Sequence, residues 1–184
     1  MNDLMIDLET LSTAHNAAII SIGACFFDMK TGVIGDTFYQ RINIKDTPEF
    51  GHIDAETVKW WLNQSDEARQ EITDPSIHAE LPYVIQKFND WLYVNRPPSA
   101  IWSNGSCFDL VVLRHAYQRC RYSFPWQFRQ ERDVRTIVDI AERISGTNAS
   151  TAIKYEGTKH NAIADAIHQA KFVSLAYALT GTTE

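Results

Sequence analysis

The sequence is poor in cysteine and has no long apolar run. Its three cysteines, Cys25, Cys107 and Cys120, lack the spacing of metal ligands. A sparse, odd set of thiols excludes a disulfide framework and argues against a zinc site. Without 18 consecutive apolar residues the sequence predicts no membrane span. The first residues also lack the basic and apolar regions of a signal peptide. We therefore expect a reduced, cytoplasmic chain with no membrane partner.

Basic residues are also scarce, and the net charge is −6. This balance argues against a protein that coats nucleic acid with a broad positive surface. Residues 1–113 contain 7 Lys and Arg against 16 Asp and Glu, whereas residues 114–135 contain six Arg against two acids. Arginine pairs with phosphate oxygens through two parallel hydrogen bonds, so this cluster is a candidate phosphate-binding path. A solvated helix face followed by a loop explains it equally well. The arginines are Arg114, Arg119, Arg121, Arg129, Arg132 and Arg135.

The remaining composition is that of an ordinary globular domain. The chain has 184 residues, of which 45% are hydrophobic and 11% aromatic. A chain of this size buries a sizeable core without disulfides or structural metals. No internal repeat, low-complexity segment or linker rich in Pro, Gly or Ser divides it. We therefore expect a single domain over residues 1–184.

The hydrophobic pattern predicts an α/β fold. Alternating or apolar runs predict strands over residues 3–9, 17–27 and 33–44, whose short connections are typical of an antiparallel meander. Helical spacing predicts helices over 80–94, 108–122 and 163–179, and another that starts near Asp54 and turns Val58, Trp61 and Leu62 inward. Short strands are predicted over 100–105 and 134–138, with a surface loop over 123–133. This order favours a mixed five-stranded sheet, three antiparallel strands first, flanked by helices.

Two carboxylates of the first predicted strand stand out. Asp7 and Glu9 are two residues apart, so both side chains project from one face of the strand. Met5 and Leu11 share that face, which argues against its being solvent-exposed. Two buried carboxylates raise each other's pKa, and a divalent cation between them removes the repulsion. Mg2+ prefers such oxygen ligands. An exposed face remains the alternative, because a D-x-E pattern also occurs by chance.

Two more acids and a histidine lie in later segments. Asp109 falls in the first turn of a predicted helix, where the helix dipole also favours an acid for purely structural reasons. Asp165 lies among small alanines in the last predicted helix, which would allow that helix to approach the sheet closely. His160 precedes Asp165 by five residues, so on one helix the two side chains would point about 140° apart around the axis. The two side chains therefore converge only if His160 lies in the loop before the helix, where most histidines are simply surface residues.

The order of these residues resembles the DEDDh 3'-5' exonucleases of the RNase H-like (DnaQ-like) superfamily. The matching motifs are Asp7-Leu8-Glu9-Thr10, Asn104-Gly105 before Asp109, and His160 with four residues before Asp165. The resemblance covers nearly the whole chain. A sister branch has Tyr four residues before the last Asp, where this chain has Asn161. Residues 54–61 and 132–136 are most similar to small bacterial and phage exoribonucleases related to polyadenylate-specific exoribonuclease AS.

The resemblance implies an RNase H-like fold and hydrolysis with two Mg2+ ions, for which Mn2+ can substitute. Asp7 would bridge both ions, Glu9 and Asp165 would hold the ion that binds the attacking water, and Asp109 would hold the other. His160 would take the proton as general base. The expected substrates are 3' ends of single-stranded RNA or DNA, with RNA slightly favoured. The expected products are nucleoside monophosphates, and a homodimer is expected from the relatives.

Four residues are candidates for substrate binding. Thr10 and Leu11 follow the first acids and are expected to contact the terminal nucleotide, and Asn104 lies in the second motif. Trp61 or Trp60 is a candidate platform for base stacking, with at least one of the pair in the core. Two alternatives stay open: a nuclease of other polarity that uses the same acids, and a non-catalytic nucleic-acid-binding module. The presence of all four acids argues against the second.

Overall fold

The computed structural model describes residues 2–45, 47–77, 79–95 and 97–181, and within them the chain forms one mixed sheet in the order β3-β2-β1-β4-β5. The first three strands form the predicted antiparallel meander, and β4 and β5 run parallel to β1. The mixed five-stranded sheet expected from the sequence is thus confirmed. The strands are β1 (Asp3–Thr10), β2 (Ile19–Phe27), β3 (Ile34–Arg41), β4 (Ala100–Ser103) and β5 (Glu131–Asp133).

Helices cover both faces of this sheet. Leu4, Ile6 and Leu8 of β1 pack toward α4 and α5, while Met5 shares the opposite core with α6, α7 and α8. Among the described residues, no helix is long and apolar enough to span a membrane. The helices are α1 (Thr47–Phe50), α2 (Ala55–Leu62), α3 (Asp66–Thr73), α4 (Leu81–Val94), α5 (Asp109–Arg119), α6 (Val134–Ser145), α7 (Ala149–Ala152) and α8 (Ala162–Leu179).

The predicted fifth strand was placed in the wrong segment. Residues 134–138 begin helix α6, and the strand lies just before them, inside the predicted loop 123–133. The Asp133 carboxylate accepts a hydrogen bond from the Thr136 backbone N–H and so caps the helix, which overrides the β-branched Val134, Ile137 and Val138. Strand β5 has only three residues, Glu-Arg-Asp, and in the described part of the chain it pairs only with β4. It therefore shows no apolar alternation.

Other details also differ from the prediction. Strand β4 ends at Ser103 rather than residue 105, and helix α5 ends at Arg119 rather than residue 122. Leu62 was expected to face inward, but it ends α2 and is 67% exposed. The second strand begins at Ile19 rather than residue 17, because Ala17 forms an isolated bridge to His52. The third strand ends at Arg41 rather than residue 44.

A glycine sets the distance between α8 and the sheet. Gly23 of β2 lies directly opposite Asp7 of β1. A Cβ atom at Gly23 would stand 2.1 Å from the carbonyl carbon of Ala162. The first turn of α8 therefore packs directly against the backbone of β2. Ala162 makes this contact and, like Ala166 one turn later, is fully buried, as expected if small residues let α8 approach the sheet. Asp165 is thereby carried toward the acids of β1.

Candidate active site

Asp7 and Glu9 lie at the end of β1, beyond the last residue of that strand that pairs with β4, Met5. Glu9 is only 9% exposed. Burial, followed by the charges of Asp109, Glu9 and Asp165, raises the pKa of Asp7 well above 3.8. Burial, followed by the charges of Asp165 and other acids, likewise raises the pKa of Glu9 well above 4.5. The four predicted carboxylates therefore converge, and they repel one another.

Asp109 reaches the pair from the first turn of α5. Because β4 ends early, the Leu8 backbone N–H donates instead to Asp109 Oδ1, at 3.3 Å. Asp109 is 5% exposed, and burial raises its pKa to about 7 despite that hydrogen bond and the nearby Arg135 guanidinium. The helix dipole alone could have explained an acid at position 109, but Asp109 lies within the carboxylate cluster.

His160 lies in the loop just before α8, as convergence with Asp165 requires. Its backbone is left-handed, with φ of 62°, and its N–H donates to Asp165 Oδ2 at 3.0 Å. One ligand atom from each of Glu9, His160 and Asp165 lies within 4.8 Å of the others. The ring of Trp60 meets the imidazole edge-on, with centroids 4.8 Å apart. The imidazole therefore faces the same carboxylates that the sequence motifs identify.

The chemistry of this cluster fits hard divalent cations. All four acids offer carboxylate oxygens, the ligands that Mg2+ prefers, and their mutual repulsion disappears when positive charge lies between them. Gln169, one turn after Asp165 on α8, donates from Nε2 to Asp7 Oδ1 at 2.7 Å and so orients that carboxylate.

An open cleft of about 470 Å3 leads to Glu9. Thr10 lies in its wall, where its hydroxyl donates to the Ser12 carbonyl and its own carbonyl accepts a hydrogen bond from Trp61 Nε1. Trp61 is 2% exposed and belongs mainly to the core, whereas Trp60 is 43% exposed. Trp60 therefore offers more ring surface to a ligand than the predicted Trp61. The cleft is lined by Leu8, Glu9, Thr10, Ser12, Thr13, Asp54, Glu56, Thr57, Trp60, Trp61 and Phe108.

The structure does not bring the other two substrate-binding candidates into this cleft. The Leu11 backbone is paired with Ala18 and Asp54, and its side chain lies behind Trp61 in a separate apolar cavity. Asn104 is exposed and lines a small depression together with Arg135. Asn104 therefore lies outside the cleft, in a depression that it shares with Arg135.

Of the arginine cluster, Arg135 comes nearest to the acids. Its guanidinium rests on Gly105, where a Cβ would stand 3.1 Å from Nη2, and its charge acts on Asp109. Within the described ranges it has no carboxylate at ion-pair distance. Arg114 instead pairs with Glu131, and Arg119 donates to the Glu49 carbonyl. The six arginines therefore do not line one continuous phosphate-binding path, and Arg135 is the member of the cluster that lies beside the acids.

Several residues of the site had not been predicted from the sequence. Tyr155 places its hydroxyl near Asp165 while donating to the Thr158 carbonyl. Glu71, which is buried, adds a fifth acid near Glu9. Gly23 carried a usable signal, since an isolated glycine in an apolar strand marks close backbone approach. Gln169 carried another, because it lies four residues after Asp165 and so shares its helix face.

The fold and the converging acids with their histidine define a nuclease of the DEDDh type. The nuclease domain of 3'hExo bound to rAMP, itself a DEDDh family member, matches 96% of this chain and 91% of its own with a TM-score of 0.65 and 15% identity. S. pombe Pop2p in its Mg2+ and Mn2+ bound form matches 100% of this chain and 86% of its own, with a TM-score of 0.66 and 13% identity. These likenesses establish the fold.

The sequence comparisons identify the family. Residues 2–177 match the 3'-5' exoribonuclease Rv2179c-like domain, and the chain belongs to this family. The exodeoxyribonuclease of Enterobacteria phage T4 is 31% identical over 163 residues, covering 76% of this chain and 71% of that protein. The predicted kinship with DEDDh exonucleases is confirmed, and the chain is an exonuclease.

Proposed function

We propose that this enzyme releases nucleoside monophosphates from the 3' end of single-stranded nucleic acid, using two Mg2+ ions and His160 as general base. The observation that carries the proposal is the convergence of His160 with Glu9 and Asp165, two of the four clustered carboxylates, beside an open cleft. RNA is the favoured substrate, in keeping with the exoribonuclease family model. DNA is the second candidate, because the phage relative is an exodeoxyribonuclease.

The four acids have distinct places in this proposal. The charges of the other three acids all act on Asp7, so its carboxylate would help to hold the cations that relieve this repulsion. Glu9 and Asp165, on the side of His160, would hold one cation, and Asp109 would hold the other. Cations bound there supply positive charge at the phosphate and make water more acidic, with Mn2+ able to replace Mg2+.

His160 accepts the proton that water loses as it attacks the phosphate. Its ring is held from one side by Trp60 and faces Glu9 and Asp165 on the other. The side chain is partly exposed, so the proton can pass from the imidazole to solvent before the next turnover. A positioned base of this kind contributes about 100- to 10,000-fold in rate.

In this proposal the cleft and Arg135 bind different parts of the substrate. Glu9, Asp54 and Glu56 make the cleft acidic, so it suits a terminal nucleoside better than a chain of phosphates. The exposed ring of Trp60 offers that nucleoside a stacking surface. Arg135, on the side of Asp109, is placed to bind a backbone phosphate through its guanidinium.

A panel of 5'-labelled single-stranded RNA and DNA 20-mers, with free or blocked 3' ends, tests this proposal. Wild-type protein with Mg2+ or Mn2+ should shorten free ends one nucleotide at a time and leave blocked ends intact, with RNA cut faster. Asp7→Ala protein is the matched inactive control. Internal cleavage of blocked substrates, or equal rates for Asp7→Ala, would contradict the proposed function.

A further inference from the structure

A buried polar network lies beside the acids and has no part in the chemistry described so far. Glu71 of α3 is 4% exposed. Its Oε1 accepts hydrogen bonds from the Tyr39 hydroxyl at 2.5 Å and from Asn161 Nδ2 at 2.6 Å. Asn161 Nδ2 also donates to the Tyr39 oxygen at 2.9 Å. Three side chains from β3, α3 and the start of α8 thus form a closed triangle.

Asn161 connects this triangle to the histidine. It is the residue after His160, and its Oδ1 accepts from the Ala164 backbone N–H at 3.1 Å, which caps α8. Both ends of its amide are therefore engaged. His160 itself has a left-handed backbone, a conformation disfavoured for residues with a side chain, so its surroundings must hold it there.

We infer that Glu71 and Tyr39 are positioning residues for His160, acting through Asn161 to hold the turn that aims the imidazole at Glu9 and Asp165. Among the described residues, Glu71 Oε2 has no hydrogen-bond partner although it is buried. A buried carboxylate that is only half satisfied costs desolvation and contributes little net stability. Glu71 therefore contributes by fixing the position of the turn that contains His160. This inference rests on the proposed role of His160.

A double-mutant cycle with His160→Ala tests the inference. We expect Tyr39→Phe and Glu71→Ala to lower kcat by about 10- to 100-fold at saturating metal, with KM unchanged, because the imidazole is misplaced. Glu71→Gln keeps an acceptor oxygen and should recover most of the loss. In the His160→Ala background the same changes should alter kcat by less than about twofold, since the group they position is gone.

Tyr117→Phe is the matched control, because it also removes a buried tyrosine hydroxyl, one that donates to Asn89 on the opposite face of the sheet. It should leave kcat unchanged. If Tyr39→Phe costs as much in the His160→Ala background as in the wild type, the network serves the fold or the metals, and the inference is wrong while the base role stands. If His160→Ala alone retains wild-type kcat, the proposed function fails and the inference fails with it.

Discussion

Asp109→Asn removes one buried charge from the acid cluster while keeping the shape of the side chain and the acceptor for the Leu8 N–H. In the folded protein, burial raises the pKa of Asp109 from 3.8 to about 7. The folded-state pKa is thus above the unfolded value. The contribution of protonated Asp109 to the free energy of unfolding is therefore fully present below about pH 4 and is lost as the pH rises through about 7. Without cations, the wild-type protein should be less stable at pH 8 than at pH 5.

The size of this loss follows from the pKa. A change from 3.8 to about 7 corresponds to about 4 kcal/mol. This is an upper limit, because neighbouring acids take up protons as Asp109 ionises. The amide of the Asp109→Asn variant does not ionise, so in chelator at pH 8 the variant should be more stable than the wild type by about 2 to 4 kcal/mol. The difference should shrink steadily toward pH 4.

Urea unfolding in EDTA at pH 4, 6 and 8 measures this difference directly. Asp36→Asn, at an exposed acid of β3, is the control and should change stability by less than about 0.5 kcal/mol at every pH. In buffer without EDTA, free Mn2+ at 100 times the Kd of the wild type should stabilise the wild type by about 2.7 kcal/mol. The same concentration should stabilise the Asp109→Asn variant by less. A variant less stable than wild type at pH 8 in chelator, or a difference independent of pH, would refute this reasoning.

Three further substitutions test other parts of the site. Asp7→Ala should abolish hydrolysis and the stabilisation by Mn2+ while the circular dichroism spectrum stays native; turnover by the folded variant would disprove the metal site. Arg135→Ala should raise KM more than it lowers kcat. It should also make the dependence of binding on salt concentration shallower, by about one phosphate contact. An unchanged slope would show that Arg135 does not bind phosphate. Gly23→Ala should lower the free energy of unfolding by about 3 kcal/mol and suppress activity, because its Cβ meets the Ala162 backbone at 2.1 Å. Wild-type stability, measured by urea unfolding, would show that α8 tolerates a larger separation from the sheet.

The parts of the fold that were predictable are those with local patterns. The apolar and alternating residues of β1 and β2 and the helical stripe of α4 indicated their structures correctly. Strand β5 was missed because a three-residue edge strand of charged residues shows no alternation. The first turn of α6 was misassigned because its β-branched residues are held in a helix by the Asp133 cap, which acts over only three residues.

The acids and His160 were identified by the order of their motifs, and the structure shows how they meet. The partners around them had weaker signals or none. Glu71 contacts Asn161 across 90 residues of sequence, and nothing in α3 marks one acid among several as buried. The arginine cluster shows the converse, since proximity in sequence did not distinguish Arg135 from arginines that pair elsewhere.

The central claim, that His160 takes a proton among carboxylates that hold the cations, is tested most directly by the single-turnover cleavage rate of His160→Ala and His160→Asn. Asparagine tolerates the left-handed backbone at this position, so the second variant keeps the turn but has no base. We predict a rate about 100- to 10,000-fold below wild type for both variants, with Mn2+ titration and folding nearly unchanged. Rates within about threefold of wild type for both variants would contradict the account and leave hydrolysis to the acids alone.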